Sequence, residues 1–201
     1  MAPLATLCYW GVLAGAMLAA RSFSRKGRPR AAFLLCAAVG VPSVLQFVFP
    51  QLLVRLGRDP AAVLHGEVWR LVTANFVQDG GLPGTVFNLL ALALIAPGAE
   101  RAWGTRHTVG LFLACGVAWN AAAVLLGSAG AGNSCATFAL AASMAVAALR
   151  QPGPGRIGSA LCLAAGAGLF LAGDPHWIGI ACGALAGIVC LAARRAGPVR
   201  T

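Results

Sequence analysis

Charged residues are scarce in this chain: its 201 residues include 15 Lys and Arg and only 5 Asp and Glu, together 10% of the chain. A soluble domain usually carries about 25% charged residues, whereas this chain is 59% hydrophobic. So few charges cannot cover a water-exposed surface, which excludes a soluble domain and predicts an integral membrane protein. Its apolar segments are continuous rather than alternating, which favours helices over a β-barrel.

Other signatures are missing too. The seven cysteines all lie in apolar segments and form no CxxC pair, so they are interpreted as packing residues, and neither a disulfide framework nor a metal site is predicted. No GxxxxGK phosphate loop occurs, and no cofactor is predicted. The net charge of +10 sits in short clusters without an arginine-rich face that carries aromatics. Nucleic acid is therefore not a predicted partner.

What is present is a series of seven uncharged apolar segments, each close to the about 20 residues that a helix needs to cross a membrane. They are residues 4–20, 31–54, 80–99, two segments within 108–149, 157–173 and 175–193. The glycine-rich turn 127–133 divides the longest run, and Pro42 and Pro50 predict a kink or a helix end near Phe49. The predicted fold class is an all-α, polytopic transmembrane helix bundle.

The placement of the cations predicts the orientation of this bundle. If the first loop is cytoplasmic and the segments alternate, five cations at residues 21–30, two at 101–106, two at 150–156 and three in the tail face inward. Only Arg55, Arg58 and Arg70 then face outward. Twelve cations against three follow the positive-inside rule. The prediction is a multi-pass protein of the cell membrane with its N-terminus outside and its C-terminus in the cytoplasm.

Three polar residues reach a similar depth in this topology. Ser134 and His176 each open a segment that descends from the outside, and Asn88 lies about one and a half turns into another. Polar groups inside a membrane usually face the bundle interior. Taken singly, Ser134 is more often bonded to its own helix, and His176 and Asn88 are more often structural. Their shared depth predicts one polar site.

The small residues on two helices predict how these helices pack together at the site. His176, Gly179, Gly183 and Gly187 share one helix face, and a glycine stripe allows close helix packing. The second stripe, of matching spacing, is Ser134, Thr137, Ala141 and Ala145. If the stripes pack together, Ser134 meets His176 at the top of the seam. The histidine would then be the base of a Ser–His dyad rather than a triad, with Asn88 and backbone N–H groups as oxyanion donors.

Five motifs in this chain resemble those of the rhomboid intramembrane serine proteases, over about residues 31–193. Each motif is weak alone, but all five occur in the family's order and topological positions. They are Trp69-Arg70, Phe87-Asn88, Glu100 with Gly104, Gly132-Asn133-Ser134 for Gly-x-Ser-Gly, and His176 with Gly179 and Gly183 for His-x-x-Gly-x-x-x-Gly. From the residues alone, Trp69 and Arg70 are interpreted as an interfacial anchor.

The resemblance implies a six-helix core plus one extra N-terminal helix. Residues 1–30 would form the extra helix and a basic cytoplasmic loop, 31–193 a rhomboid-like membrane domain, and 194–201 a basic cytoplasmic tail. Ser134 would be the nucleophile and His176 the general base, Asn88, Asn133 and Gly132 would form or support the oxyanion site, and Gly179 and Gly183 would pack it. The implied partners are the lipid bilayer and transmembrane segments of other proteins.

Two alternatives remain open. Family histidine positions hold Ala74, Asn75, Gln78 and Gly84 here, and Cys135 replaces the final glycine of Gly-x-Ser-Gly. These departures favour a pseudoprotease that binds transmembrane clients without cleaving them. A small transporter is the weaker alternative, because the chain shows no internal repeat and no charged residue in the middle of a span.

Overall fold

The computed structural model describes residues 2–24 and 28–196, which form a bundle of helices. Part of the predicted basic loop (Arg25 and Lys26) and most of the predicted tail lie outside the described residues. The helices of the described part are α1 Ala2–Ala20, α2 Arg30–Leu45, α3 Gln51–Leu56, α4 Pro60–Leu64, α5 Arg70–Thr73, α6 Gly81–Trp103, α7 Thr105–Leu125, α8 Ser134–Ala148, α9 Pro154–Leu171 and α10 Trp177–Ala196.

Seven of these helices correspond to the seven predicted segments. Within the described ranges, α1, α6, α7, α9 and α10 are long and apolar enough to cross a membrane, while α2 and α8 are shorter apolar helices. Pro42 lies inside α2, which ends at Leu45, before the predicted limit near Phe49. The prediction of an all-α, polytopic helix bundle is confirmed.

The central helix is α8, which contacts α1, α6, α7, α9 and α10. Of its 15 residues, 13 are buried, as expected of a helix that is apolar on every side. At 1.5 Å per residue it is about 22 Å long, shorter than the hydrocarbon core of about 30 Å. Ser134, its first residue, can therefore lie below the membrane surface while remaining close to one side.

The glycine face of α10 packs against α8, but against a different face from the predicted one. The backbone contacts of Gly179, Gly183 and Gly187 are with Cys135, Ala139 and Ser143 respectively. A Cβ atom on Gly179 would lie 2.6 Å from the carbonyl oxygen of Cys135. The predicted stripe of Ser134, Thr137, Ala141 and Ala145 was therefore the wrong partner. Cys135, not Ser134, lies in the seam.

The first helix is packed as closely as the helices that follow it. A Cβ atom on Gly15 would lie 2.5 Å from the backbone nitrogen of Cys162, and one on Gly158 would lie 2.7 Å from that of Ala19. The backbones of α1 and α9 are thus in contact, and α1 also contacts α6 and α8. The predicted domain boundary at residue 30 stays a prediction, but α1 is an integral part of the bundle.

The long connection between α2 and α6 is organised around Arg70. Its side chain is buried, donates 2.8 Å hydrogen bonds to the carbonyl oxygens of Val54 and Gly57, and pairs with Glu67 at 2.6 Å. The interpretation of Trp69 and Arg70 as an interfacial anchor is thus wrong for Arg70. A buried guanidinium with several donors satisfies loop carbonyls that would otherwise be unpaired, whereas Trp69 is half exposed.

Candidate active site

The structure brings Ser134 and His176 into direct contact. Ser134 begins α8, and His176 lies in the turn directly before α10. Oγ of Ser134 and Nε2 of His176 are 2.8 Å apart, a normal hydrogen-bond distance. The predicted pair therefore meets, although the glycine stripe of α10 packs against the face of α8 that begins with Cys135 rather than against the predicted stripe that begins with Ser134.

The other nitrogen of the His176 ring is bonded to Asp174. Oδ1 of Asp174 lies 2.7 Å from Nδ1 and also accepts the backbone N–H of His176, at 3.0 Å. The contact pair of Ser134 and His176 is thus extended by a third side chain, which the predicted dyad did not include. The signal was present in the sequence, because a carboxylate two residues before a histidine can turn back onto it, but spacing alone did not show that it does.

Asp174 is ionised at neutral pH. Burial by itself raises the pKa of Asp174, but hydrogen bonds from His176 and Tyr9 outweigh this effect and bring the pKa down to about 2. An ionised carboxylate can only accept hydrogen bonds, so a neutral His176 must carry its proton on Nδ1. Nε2 is then left as an acceptor for the hydroxyl proton of Ser134, which is the arrangement that a general base needs.

Tyr9, on α1, completes this group of polar side chains. Its hydroxyl donates to Oδ2 of Asp174 at 2.6 Å, and its oxygen lies 3.1 Å from Nδ1 of His176. The Tyr9 and His176 rings meet edge to face, with centroids 5.3 Å apart. Sequence reasoning missed Tyr9 because nothing in the chain's spacing links α1 to a turn 165 residues later.

A cavity of about 320 Å³ lies beside Ser134 and His176. Its lining includes Tyr9, Asn88 and Gly132. Gly132 has a φ of +143°, which favours glycine. A Cβ atom there would lie 3.4 Å from Nδ2 of Asn88 and 3.9 Å from Oγ of Ser134. Glycine at position 132 therefore leaves open the space between the Asn88 amide and the Ser134 hydroxyl.

The N–H group of Gly132 is not free to donate a hydrogen bond into this space, because it donates to the carbonyl oxygen of Ala74 at 2.8 Å. The Asn133 side chain lies beside the site rather than in it. Its Nδ2 donates to Oγ1 of Thr137 at 2.8 Å, and its side chain is not part of the cavity lining. Of the three residues predicted at the oxyanion site, Asn88 alone presents a side-chain donor to the cavity. Gly132 supplies space, and Asn133 supports the start of α8.

A buried glutamine holds Asn88 in place. Oε1 of Gln78 accepts from Nδ2 of Asn88 at 2.7 Å, and Nε2 of Gln78 donates to Oδ1 of Asn133 at 2.8 Å. The backbone N–H of Gln78 is bonded in turn to Gln46. The sequence singled out Gln78 only as a position where the related family has a histidine. In the structure it links the amide of Asn88 to the residue before Ser134.

The loop before α8 is held by the long connection between α2 and α6. Arg58 and Gly130 exchange both backbone hydrogen bonds, at 2.8 and 3.0 Å. The Arg58 side chain donates to the carbonyl oxygen of Ser128, and Asp79 accepts the N–H of Ala131, each at 2.8 Å. These bonds fix the loop that leads into Ser134. Among the residues that the structure describes, no cluster of three or more metal-ligating side chains occurs.

Comparison with known protein families gives a match over most of the helical bundle. The family model described as Rhomboid domain matches residues 65–196, about two thirds of the chain. The matched segment contains Asn88, Ser134, Asp174 and His176, but it begins well after α1 and Tyr9. A search of curated proteins finds no match.

Proposed function

The chain belongs to the rhomboid family, and we propose that it is an intramembrane serine endopeptidase that cleaves transmembrane segments of other membrane proteins. Members of this family are generally serine proteases that act within the membrane. The observation that carries the proposal is the 2.8 Å contact between Oγ of Ser134 and Nε2 of His176. A serine bonded to an available imidazole nitrogen is the minimal activated nucleophile.

In the proposed reaction, His176 takes the hydroxyl proton as Oγ of Ser134 attacks the scissile carbonyl carbon. The tetrahedral intermediate collapses when the C–N bond breaks, and His176 returns the proton to the leaving amine. A water molecule then attacks the acyl carbon while the same nitrogen takes its proton. The ester C–O bond breaks, the new carboxyl terminus leaves, and His176 returns the proton to Oγ of Ser134. No cofactor takes part in these steps.

The negative oxygen of the intermediate would lie in the space that Gly132 leaves open. Asn88 can donate its second amide hydrogen there, because the first is bonded to Gln78. The N–H groups in the first turn of α8 have no acceptor within the helix, and they lie at the positive end of its dipole. These donors together would stabilise the oxyanion.

The substrate must present an unfolded peptide bond to this site. An intact transmembrane helix hides its peptide groups in internal hydrogen bonds, so a client should unwind locally next to Ser134. Segments with small, helix-breaking residues near one membrane surface fit this requirement. The substrate class that we propose is therefore a transmembrane helix with a helix-breaking segment near one end.

The cation distribution supports a location in the cell membrane, with the site toward the outer side and the C-terminus in the cytoplasm. A reporter domain fused after Thr201 tests this orientation. Protection of the reporter in intact cells is the expected result, and an outside reporter would reverse the proposed topology.

A pseudoprotease that binds transmembrane clients is the second candidate. The observation that favours it is at Gly84, one turn before Asn88, where a Cβ atom would meet nothing within 4 Å. The family's histidine donor at this position is thus replaced by empty space. Loss of one oxyanion donor typically lowers the rate by about 10²–10³-fold, which slows a reaction without ending it.

Labelling with a serine-directed fluorophosphonate in isolated membranes distinguishes the two candidates. The parent protein should be labelled, and Ser134→Ala and His176→Ala should not. Ser128→Ala is the matched control, because Ser128 lines the same cavity but its hydroxyl is bonded to the carbonyl oxygen of Ala129 rather than to His176. An unlabelled parent, together with no cleavage of several reporter helices, would support the pseudoprotease instead.

A further inference from the structure

Four polar side chains form one continuous chain of contacts through the candidate active site. The distances are 2.8 Å from Ser134 to Nε2 of His176, 2.7 Å from Nδ1 of His176 to Oδ1 of Asp174, and 2.6 Å from Oδ2 of Asp174 to Tyr9. This series of contacts joins α8, the turn before α10, and α1. Its far end therefore lies on a helix outside the matched Rhomboid domain.

Tyr9 restrains the carboxylate that Asp174 presents to His176. Both oxygens of Asp174 are bonded, Oδ1 to His176 and Oδ2 to Tyr9. Without the Tyr9 hydroxyl, the carboxylate could turn about its Cβ–Cγ bond and loosen the contact with Nδ1. A reacting group must be held within about 0.5 Å of its working geometry, which requires that its supporting side chains are themselves fixed.

The Tyr9 ring is well placed for this task because it cannot easily move. It is flanked by the rings of Phe87 and Phe138, with centroids at 6.1 and 5.7 Å. Its helix is locked to α9 by the backbone contacts at Gly15 and Gly158. The Tyr9 hydroxyl is therefore delivered by rigid packing of α1 rather than by a mobile loop.

We propose that Asp174 and Tyr9 are positioning residues for the reaction, so that the site is a Ser–His–Asp group completed by a tyrosine from α1. Asp174 sets the proton of His176 on Nδ1 and directs Nε2 to Ser134, and Tyr9 holds Asp174. The proposal rests on the proposed protease function. It makes α1 part of the active site rather than an additional membrane anchor.

Few charged or titratable side chains lie close enough to the His176 ring to interact with it electrostatically. In the part of the protein that the structure describes, the titratable and charged groups that contact the ring or line its cavity are Tyr9 from α1, Asp174 before α10, and Arg58 and Asp79 from the long connection. Cys135 of α8 interacts electrostatically with Asp174. Among them, Asp174 is the charged group in hydrogen-bond contact with the ring. Its removal should therefore change the pH profile of the reaction.

Asp174→Asn tests the carboxylate. Asparagine is a good residue before a helix and keeps the side-chain shape, but it no longer accepts the Nδ1 proton as an ionised group. We expect kcat to fall by at least about 10²-fold; the same change in a soluble serine protease triad costs about 10⁴-fold. The dependence of kcat/KM on pH should also differ from that of the parent, because the ionised carboxylate in contact with the ring is gone.

Tyr9→Phe tests the hydroxyl while keeping the ring and its packing. We expect kcat to fall about tenfold with little change in KM, as for the loss of one hydrogen bond to a charged group. The matched control is Asp59→Asn, since Asp59 is an exposed residue of the long connection and caps α4. This control should keep the parent kcat and pH profile.

A second readout does not depend on activity. The chain has three histidines, so the ring ¹⁵N signals of histidine-labelled protein in detergent can be assigned with His176→Ala. The parent should show His176 with its proton on Nδ1, and Asp174→Asn should lose this preference. His65, whose Nδ1 is bonded to the carbonyl of Ala61, serves as an internal reference and should not change.

The outcomes separate this proposal from the proposed function. A parent that cleaves reporters, combined with unchanged kcat, pH profile and His176 signals in Asp174→Asn and Tyr9→Phe, overturns the positioning role and leaves the protease standing. A parent that neither cleaves nor reacts with fluorophosphonate, but whose His176 tautomer depends on Asp174, overturns the protease and supports the positioning of the ring.

Discussion

Gly183 on α10 and Ala139 on α8 are in backbone contact: a Cβ atom on Gly183 would lie 2.6 Å from the carbonyl carbon of Ala139. This approach lies one helical turn below the contact between Gly179 and Cys135. It sets the distance between the helix that begins with Ser134 and the helix that follows His176. The geometry of the candidate active site thus depends on small residues that do not line its cavity.

Substitution of Gly183 should therefore destabilise the protein even with alanine. Gly183→Ala should lower the free energy of unfolding by about 1–3 kcal/mol, the usual cost of overpacking, and Gly183→Leu should lower it further. Thermal unfolding in detergent measures both changes. Gly110→Ala on α7 is the control, because a Cβ atom there meets nothing within 4 Å. If Gly183→Ala unfolds at the same temperature as Gly110→Ala, the backbone contact is absent.

Gln78→Met should slow cleavage although Gln78 does not touch the reacting atoms. Methionine has a similar size but no amide, so Asn88 loses the acceptor that orients it. We expect a fall in kcat of about tenfold, as for one lost hydrogen bond that positions a donor, and a larger fall of about 10²–10³-fold for Asn88→Leu. Steady-state cleavage of a reporter helix gives both numbers. An unchanged kcat in Asn88→Leu would remove Asn88 from the oxyanion site.

Gly84→His should raise the cleavage rate or leave it unchanged. The open space at Gly84 admits a side chain, and Gly84 lies one helical turn before Asn88, on the same face. A histidine there could restore an oxyanion donor worth up to about 10²–10³-fold in rate. The control is Gly84→Leu, which has similar bulk and no donor. A Gly84→His protein that is as inactive as Ser134→Ala, while the parent cleaves, would contradict the proposed position of the oxyanion.

Acid should destabilise the parent more than Asp174→Asn. The folded-state pKa of Asp174, about 2, lies below its usual unfolded value of about 3.9. The ionised carboxylate therefore contributes stability at and above about pH 4, and this contribution is lost as the pH falls toward 2. Thermal midpoints of the two proteins, measured from pH 6 downward, should converge at low pH. Parallel curves would show that the contacts of Asp174 are not maintained in solution.

Several features of this protein could be predicted without a structure. The lack of charge and the seven apolar segments predict a helical membrane protein, because a chain that cannot cover itself with polar groups must be solvated by lipid. The pairing of Ser134 with His176 also follows from the order of the helices. Both residues begin segments that run in the same direction, which places them at one depth.

The tertiary structure alone decided the remaining contacts of the site. Helical spacing indicates which residues share a face, but not which face of α8 meets α10, so the stripe that begins at Cys135 could not be chosen over the stripe that begins at Ser134. Burial and hydrogen bonding orient the Asp174 carboxylate so that it contacts the His176 ring. Tyr9 joined them because the glycine contacts between α1 and α9 place its hydroxyl there. Such a contact across 165 residues depends on helix packing, which no local pattern in the chain encodes.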